Sequence, residues 1–257
     1  MTPDEFIARL KERAAAMPPP EKPPSPLKEY GLDNVDCPIC GNTGYIIYKK
    51  DDCMYSRDCE CMPKRRSLRE LERSGLKDLA QRYTFEKYIP DNDRAASLLE
   101  YAKKYVEDDP AWFFVSGQPG SGKSHICTAI CLALINRGAH LIYMLWRDEV
   151  TRLKGALVDN PDYYQKRMDQ LKKVQVLYID DFGKGKFTDS DQKIAFELLN
   201  FRYNNPASRT IISSELDFSD IKKLDVAIAR RIYERAEGYC RRSPAKNYSI
   251  DKAEKID

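Results

Sequence analysis

Short apolar runs bounded by polar turns recur through residues 111–250 and alternate with segments of helical periodicity. Such runs are typical of parallel strands that are buried on both faces of a sheet. The predicted strands span residues 111–116, 140–146, 174–181, 209–214 and, last, 246–250. Helices are predicted at 93–107 and 124–136. The pattern therefore predicts an α/β domain in which a five-stranded parallel sheet is flanked by helices.

The region before residue 83 divides into shorter parts. An amphipathic helix is predicted at 3–17, and the prolines between 18 and 26 indicate a stiff, extended spacer. A further helix, rich in arginine and lysine, is predicted at 64–76. The predicted domains are an N-terminal helix with a proline-rich linker at 1–34, a cysteine-rich module at 35–62, a basic linker helix at 63–82 and the α/β domain at 83–257.

Length, hydrophobic content and charge narrow the class of protein. The 257 residues, 42% of them hydrophobic, suffice for one α/β domain and a small module. A formal net charge of +3 argues against a protein that clamps duplex DNA through a bulk positive field, although a local basic patch is compatible with it. Apolar runs are too short for a membrane span, and the N-terminal residues lack the apolar core of a secretory signal. We therefore expect a cytoplasmic protein without a membrane partner.

A phosphate-binding loop follows the first predicted strand of the α/β domain. The motif G-x-x-x-x-G-K-[ST] is formed by Gly117, Gln118, Pro119, Gly120, Ser121, Gly122, Lys123 and Ser124. Its glycines let the backbone turn tightly and aim N–H groups at phosphate oxygens, and the following helix N-terminus adds positive potential. Lys123 would reach the terminal phosphates, and the Ser124 hydroxyl would bind Mg²⁺. The motif predicts that the chain binds a nucleoside triphosphate.

Two carboxylates end the predicted strand at 174–181. A phosphate loop requires an acidic partner at the C-terminal end of a strand, where one carboxylate holds Mg²⁺ and its neighbour polarises the attacking water. We assign Asp180 to the metal and Asp181 to the water. These assignments make Lys123, Asp180 and Asp181 the predicted catalytic residues within the chain.

Five of the eight cysteines lie between residues 37 and 61, which in a cytoplasmic protein favours metal ligands over disulfides. Cys37 and Cys40 form a C-x2-C pair and Cys59 and Cys61 a C-x-C pair, so these four thiolates are predicted to hold a structural Zn²⁺. Cys53 is the rival ligand, in place of Cys59 or Cys61. Free cysteines or a redox C-x2-C would match the same residues, but a module with so few apolar residues needs a metal to fold.

Four segments of the α/β domain resemble one protein family. They are LYIDDFGKG at 177–185, NFRYNN at 200–205, TIISSEL at 210–216 and AIARRI at 227–232. They resemble the AAA+ replicative helicase loaders, the bacterial DnaC and DnaI proteins and their phage-encoded relatives, and the likeness extends over about residues 35–250. The cysteine module is similar to that of the DnaI and phage type. The resemblance implies an AAA+ fold without a C-terminal helical lid.

The resemblance also implies a function. In this family the N-terminal region grips the hexameric replicative helicase, while the ATPase domain self-associates and touches single-stranded DNA. The chain is then expected to load that helicase onto single-stranded DNA at the start of replication. Its cofactors would be ATP, Mg²⁺ and Zn²⁺, with ATP hydrolysis coupled to self-association.

Individual residues match the family's motifs to different degrees. His125 matches the G-K-[ST]-H sequence common in the loaders and is counted with the nucleotide-binding residues. Arg231 lies in the family's [SA]-R-[IL] segment and would be the arginine finger that completes the site of a neighbouring subunit. Arg230 could exchange roles with it, and Arg202 is a weaker candidate that is expected to form a structural ion pair.

Two positions depart from the AAA+ pattern. Asp181 stands where glutamate is usual and is one methylene shorter, so hydrolysis is expected to be slow. The sensor position after the strand at 209–214 is usually asparagine and aligns with Glu215, whose carboxylate would repel the γ-phosphate. Ser214 is the alternative sensor.

Further functions are compatible with the same features. A transposition helper ATPase similar to IstB is the first alternative, an adaptor that uses nucleotide as a switch with negligible turnover is the second, and a small-molecule P-loop kinase is a remote third.

The residues that would contact DNA are left open, since core packing and solvated helix faces explain the candidate residues equally well. Besides the basic helix at 64–76, the candidates are Trp146, Arg147, Tyr163, Tyr164, Lys166 and Arg167.

Overall fold

The computed structural model describes residues 37–51, 53–73, 82–108 and 111–243. The chain divides into two compact units, Met1–Met62 and Pro63–Asp257. Three predictions lie outside the described residues: the helix at 3–17 with its proline-rich spacer, the strand at 246–250 and the end of the chain without a lid.

The described part of the first unit is an antiparallel hairpin of β1 (Tyr45–Lys50) and β2 (Cys53–Asp58). Most of its side chains are exposed on both faces, and its one aromatic pair among the described residues is Tyr48 stacked on Tyr55 with the ring centroids 5.7 Å apart. An isolated two-stranded hairpin is at best marginally stable in water. The hairpin therefore needs stabilisation from the cysteine-bearing loops at its base.

Helices and strands alternate through the described part of the second unit. In chain order they are α1 (Met62–Arg73), which starts at the unit boundary, α2 (Asp93–Asp108), β3 (Trp112–Ser116), α3 (Lys123–Asn136), β4 (Leu141–Leu145), α4 (Trp146–Asp159), α5 (Pro161–Lys173), β5 (Val176–Asp180), α6 (Asp189–Tyr203), β6 (Arg209–Ser214), α7 (Phe218–Leu224), α8 (Val226–Arg235) and β7 (Cys240–Arg242). The strands form one parallel sheet in the order β4-β5-β6-β3-β7. None of the helices in the described part of the chain has the length and apolarity that a bilayer span requires.

Helices cover both faces of the sheet, and the alternation of side chains along β3 shows how. Trp112 and Phe114 belong to the core cluster that includes residues of α4 to α8. Phe113 and Val115 point to the opposite face, into the cluster with residues of α2 and α3. A strand buried on both faces must be apolar at every position, which is why the run 112–115 contains no polar residue.

The edge strand β4 is joined to α1 by a serine. The Ser67 hydroxyl accepts a hydrogen bond of 2.8 Å from the Leu141 N–H and lies 3.1 Å from the Ala139 carbonyl. A sheet edge offers unpaired backbone groups, so this contact satisfies part of the edge. It also fixes the basic helix α1 beside β4.

The α/β fold with its five-stranded parallel sheet is confirmed. The four strands predicted between 111 and 214 lie within two residues of their predicted bounds. Among the described residues the fifth strand of the sheet is β7, Cys240–Arg242, which was not predicted, whereas the strand predicted at 246–250 lies outside them. β7 is a short, partly exposed edge strand with two arginines, so it lacks the apolar run that marks a buried strand.

Arg202 has a structural role, but the expected ion pair was wrong. The side chain is fully buried, and its guanidinium donates a hydrogen bond of 2.9 Å to the Thr210 hydroxyl. Its further acceptors are backbone carbonyls, those of Leu171, Lys172, Val174 and Arg209. Burial lowers the pKa of Arg202 to about 9, so the side chain stays charged at neutral pH. Arg202 therefore ties the end of α5 to the start of β6.

Candidate functional site

The phosphate loop runs from the end of β3 to the first turn of α3. Gly117, Gly120 and Gly122 have φ angles of 153°, 75° and 84°, which residues with a side chain rarely adopt. Space is limited too: a Cβ on Gly117 would lie 2.0 Å from Ser243 Oγ, and one on Gly122 would make a tight contact of 3.2 Å with Tyr88 Cε2. The glycines thus give the loop a shape that can cradle phosphate groups at the N-terminus of α3.

Lys123 lies within this loop. Its side chain is 5% exposed, and its ammonium donates a hydrogen bond of 2.8 Å to the Gln118 carbonyl. Burial lowers the pKa of Lys123, against the opposing charges of Asp181, Glu215 and Asp180. An ammonium held by a single carbonyl can exchange that bond for charged phosphate oxygens, which are stronger acceptors.

Asp180, at the end of β5, is buried and accepts four hydrogen bonds. The donors are Ser124 at 3.2 Å, Tyr143 at 3.1 Å, Tyr178 at 2.7 Å and the Ser213 hydroxyl. Burial raises the pKa of both tyrosines, and the negative charge of Asp180 raises it further, so they remain donors. Ser124 and Asp180, the two residues predicted to hold Mg²⁺, therefore lie side by side. A hydroxyl next to a carboxylate is a donor set that suits this cation.

Asp181 adopts a φ angle of 53° and turns the chain sharply after β5. Its N–H donates to the Ser213 hydroxyl at 3.1 Å. Its carboxylate accepts a hydrogen bond of 2.8 Å from Lys184, whose ammonium lies equally close to Glu215, at 2.8 Å. The two carboxylates that depart from the AAA+ pattern thus share one lysine, which sequence reasoning missed.

The Ser214 hydroxyl is directed at the backbone. It donates to the Phe182 carbonyl at 2.7 Å and accepts from the Leu216 N–H at 3.0 Å, and the side chain is fully buried. The first contact holds the turn after β6 against the turn after β5, and the second is local to the turn after β6. Of the two sensor candidates, Glu215 is the one whose side chain is partly exposed.

His125 joins the phosphate-loop helix to the segment before α2. Its ring is stacked on Tyr83, with the centroids 4.7 Å apart, and meets the edge of Tyr88 at 5.1 Å. Its Nε2 lies 2.9 Å from the Thr84 carbonyl. Because Tyr88 also packs against Gly122, this aromatic cluster lies next to the loop.

Ser243 is a second residue that sequence reasoning missed. It follows β7, its N–H donates to the Ser116 carbonyl at 2.7 Å, and its hydroxyl lies 2.5 Å from that of Ser121. The end of β7 therefore braces the phosphate loop. A single serine after an unrecognised strand gave no sequence signal for this contact.

The arginine-finger candidates lie on α8. Arg231 packs against α6, where it donates to the Asn200 side chain at 3.0 Å and lies 4.7 Å from the centroid of the Phe196 ring. The Arg230 side chain is 75% exposed and pairs with Glu234 at 2.6 Å. Both guanidiniums contact α6 or α8 itself rather than the phosphate loop of their own chain.

Three of the candidate DNA-contact residues are structural. Trp146 is 2% exposed. Tyr164 is buried and donates to Glu197 at 2.7 Å, and Arg167 forms two hydrogen bonds, of 2.7 and 3.0 Å, with Glu149. The remaining candidates are exposed, and these are Arg147, Tyr163 and Lys166.

A basic cleft of about 660 Å³ lies between α1, α5 and the start of β4. Its positively charged or ionisable residues are Arg66, Arg69, His140, Lys166 and Lys173, alongside one acidic residue, Asp169. The structure thus brings the predicted basic helix together with Lys166, one of the exposed candidates. The excess of basic over acidic side chains favours an anionic ligand there.

The four predicted zinc ligands of the first unit form one cluster. The sulfur atoms of Cys37, Cys40, Cys59 and Cys61 all lie within 4.8 Å of one another, with Cys37 and Cys59 3.7 Å apart and Cys40 and Cys61 3.6 Å apart. Four sulfurs bound tetrahedrally to Zn²⁺ at about 2.3 Å lie about 3.8 Å from each other. The donor set and its spacing therefore fit a structural zinc ion.

Cys53 lies elsewhere. It is exposed at the first residue of β2, opposite Lys50, whereas Cys59 directly follows the last residue of that strand. Six residues of extended strand span about 20 Å. Among the described residues, the cluster of possible metal ligands leaves Cys53 out.

The sheet, the phosphate loop and the paired Ser124 and Asp180 define a P-loop nucleotide-binding protein with an AAA+ fold. Comparison with known proteins gives the family. Residues 60–256 match the family described as IstB-like ATP binding protein. The chain therefore belongs to this family of IstB-like and DnaC-like ATP-binding domains.

Two relatives and one solved structure show how far the likeness extends. The phage-like element PBSX protein XkdC of Bacillus subtilis (strain 168) is 27% identical over 226 residues, which cover 82% of this chain and 83% of XkdC. The replicative helicase loader DnaC of Escherichia coli (strain K12) is 26% identical over 170 residues, 65% of this chain and 68% of DnaC. A crystal structure of the DnaC helicase loader superposes with a TM-score of 0.59 at 21% identity, over 65% of this chain and 99% of that one. The last comparison shows the shared fold.

We expect the Cys37→Ser variant to lose its zinc, because it removes one of four clustered thiolates, whereas Cys53→Ser should keep a stoichiometric ion. Elemental analysis of the purified proteins measures this directly. The two substitutions are chemically identical, so they control for each other. Loss of zinc from Cys53→Ser, or retention by both variants, would contradict the proposed ligand set.

Proposed function

We propose that this protein is an ATP-dependent loader that delivers the hexameric replicative helicase to single-stranded DNA, with ATP hydrolysis coupled to self-association. The observation that carries the proposal is the likeness to the replicative helicase loader DnaC, over 65% of the chain in sequence and in fold. The site geometry supports nucleotide chemistry, and the loading step is inferred from the relatives.

The roles at the nucleotide follow from the contacts around the loop. Lys123 exchanges the Gln118 carbonyl for the terminal phosphates, which binds and orients them. Ser124 and Asp180 would hold Mg²⁺, which would neutralise charge on the phosphate oxygens. Asp181 orients the attacking water and accepts its proton. Since Lys184 pairs with Asp181, we expect turnover to be slow until that contact is released.

Self-association would complete the site through Arg231. This guanidinium is fixed on α6 by Asn200 and Phe196, so it is presented by a rigid surface. A cation from the neighbouring subunit would stabilise the charge that develops on the γ-phosphate. Arg230 is the more exposed alternative.

The basic cleft supports the contact with single-stranded DNA. Its arginines and lysines from α1 and α5 offer several positive charges to a phosphate backbone. Tyr163, exposed on α5 three residues before Lys166, offers an aromatic ring on which a base could stack.

The cysteine module supports the contact with the helicase. The module exposes several large apolar side chains, namely Ile39 in the first cysteine loop and Tyr45, Ile47, Tyr48, Met54 and Tyr55 on the two faces of the hairpin. Exposed apolar surface of this kind marks protein interaction sites. A zinc ion at the base of the hairpin would hold these side chains in position without a hydrophobic core.

A transposition helper ATPase is the second candidate, and the match to the IstB-like family over residues 60–256 favours it. Both candidates share the nucleotide site, so they differ only in the client. An adaptor with negligible turnover would use the same site as a switch.

The client can be identified by capture from the native host with Mg-ATP or Mg-ADP, followed by mass spectrometry. We expect the replicative helicase to be retained by the wild type and lost with Cys37→Ser, because that variant lacks the clustered thiolate. Cys53→Ser is the matched control and should retain it. Recovery of a transposase would move the assignment to the second candidate, and retention of neither would refute both.

The arginine finger can be tested by mixing two inactive variants. Lys123→Ala lacks its own phosphate contact but offers Arg231, and Arg231→Ala offers an intact phosphate loop. In a mixed assembly roughly a quarter of the sites would combine both functional residues, so ATPase activity should partly return.

Lys123→Ala mixed with Asp181→Asn is the control, since both changes affect the same half of the site and no pairing restores it. Recovery with Arg231→Ala and not in this control would support the finger. If neither mixture recovers activity although each variant assembles, the assignment of Arg231 fails.

A further inference from the structure

The turn after β5 fixes a lysine at the mouth of the nucleotide site. Asp181 and Gly183 have positive φ angles of 53° and 75°, and the Lys184 N–H donates to the Asp181 carbonyl at 3.1 Å. A Cβ on Gly183 would lie 2.8 Å from a methyl group of Leu216, so the turn also packs closely on the segment after β6. The Phe182 N–H donates to β6 at 2.8 Å. The backbone of Lys184 is therefore held in place, while its side chain is about half exposed.

The Lys184 ammonium lies 2.8 Å from Asp181 Oδ2 and 2.8 Å from Glu215 Oε1. One positive charge thus stands between two negative charges. The Lys184 side chain is 48% exposed, whereas those of Asp181 and Glu215 are 21% and 28% exposed. Water reaches the lysine end of both ion pairs and weakens them. The ammonium can therefore leave either carboxylate for a more highly charged partner.

Such a partner arrives with a nucleoside triphosphate. Asp181 directly follows Asp180, which accepts a hydrogen bond of 3.2 Å from Ser124 of the phosphate loop. The charges of Asp181, Glu215 and Lys184 also act on Lys123, the residue that meets the terminal phosphates. The lysine and its two carboxylates therefore lie near the position of the γ-phosphate. Without Lys184, the two carboxylates would face the γ-phosphate uncompensated, and like charges at close range repel. A nucleoside diphosphate lacks the γ-phosphate, so it brings no negative charge to this position and needs no compensation from Lys184.

We propose that Lys184 is the residue by which the site distinguishes triphosphate from diphosphate. It neutralises Asp181 and Glu215 while the γ-phosphate is absent. When the γ-phosphate is present, the ammonium turns to it and frees Asp181 for the attacking water. Glu215 is then the second partner of the Lys184 ammonium and does not itself contact the phosphate. This inference rests on the proposed binding of ATP.

The test is a calorimetric titration of each variant with Mg-ADP and with a Mg-bound, non-hydrolysable ATP analogue. We expect Lys184→Ala to bind the analogue about tenfold more weakly or worse, because a charge-assisted contact is lost, with ADP affinity almost unchanged. Lys184→Arg should keep the preference for the analogue. Adding Glu215→Gln to Lys184→Ala should restore part of the affinity, because it removes a repelling carboxylate.

Lys186→Ala is the matched control, since it removes a lysine from the same loop. It should bind both nucleotides like the wild type, and Lys123→Ala should lose both. If Lys184→Ala leaves the ratio of the two affinities unchanged, the inference is overturned while the ATP site stands. If the wild type binds neither nucleotide, the proposed function fails as well.

Discussion

A carboxylate that is removed from water must be surrounded by hydrogen-bond donors, and Asp180 draws its donors from four elements at once. They are Tyr143 of β4, Tyr178 of β5, Ser213 of β6 and Ser124 of α3. Three neighbouring strands and the helix after the phosphate loop are thereby locked together at one end of the sheet. Because β6 lies between β3 and β5, its last residues are brought between the loop and the acidic residues. The geometry of the nucleotide site depends on this one buried charge.

The residues just beyond Asp180 carry an excess of negative charge into a site for a negatively charged ligand. Asp181 and Glu215 share Lys184, whose two contacts are equally long and partly open to water. A balance of this kind responds to a change of ligand charge more readily than a buried ion pair would. Asp181 stands where AAA+ proteins usually have glutamate, so hydrolysis is expected to be slow. Nucleotide can still control such a protein, because binding of the γ-phosphate rather than rapid turnover would be the controlling event.

The parts of the molecule that follow local rules could be predicted from the sequence. The phosphate loop, the strands on either side of it and the pairs Cys37/Cys40 and Cys59/Cys61 are each encoded within a few consecutive residues. What escaped prediction depends on contacts between distant segments. Arg202 was expected to pair with a carboxylate and instead binds backbone carbonyls of α5 and β6. Lys184 contacts Glu215 only because β5 and β6 lie side by side in the sheet. β7 escaped because a three-residue edge strand needs no apolar pattern.

The most direct measurement of the central claim is reconstitution of loading. The host's purified replicative helicase is incubated with circular single-stranded DNA, with and without this protein and ATP, and helicase bound to the circles is separated by gel filtration and quantified. The account requires DNA-bound helicase to increase only when the protein and ATP are both present, and Lys123→Ala to abolish the increase. Equal binding of the helicase to DNA with and without the protein, under conditions where ATP binding is verified, would contradict the loader assignment.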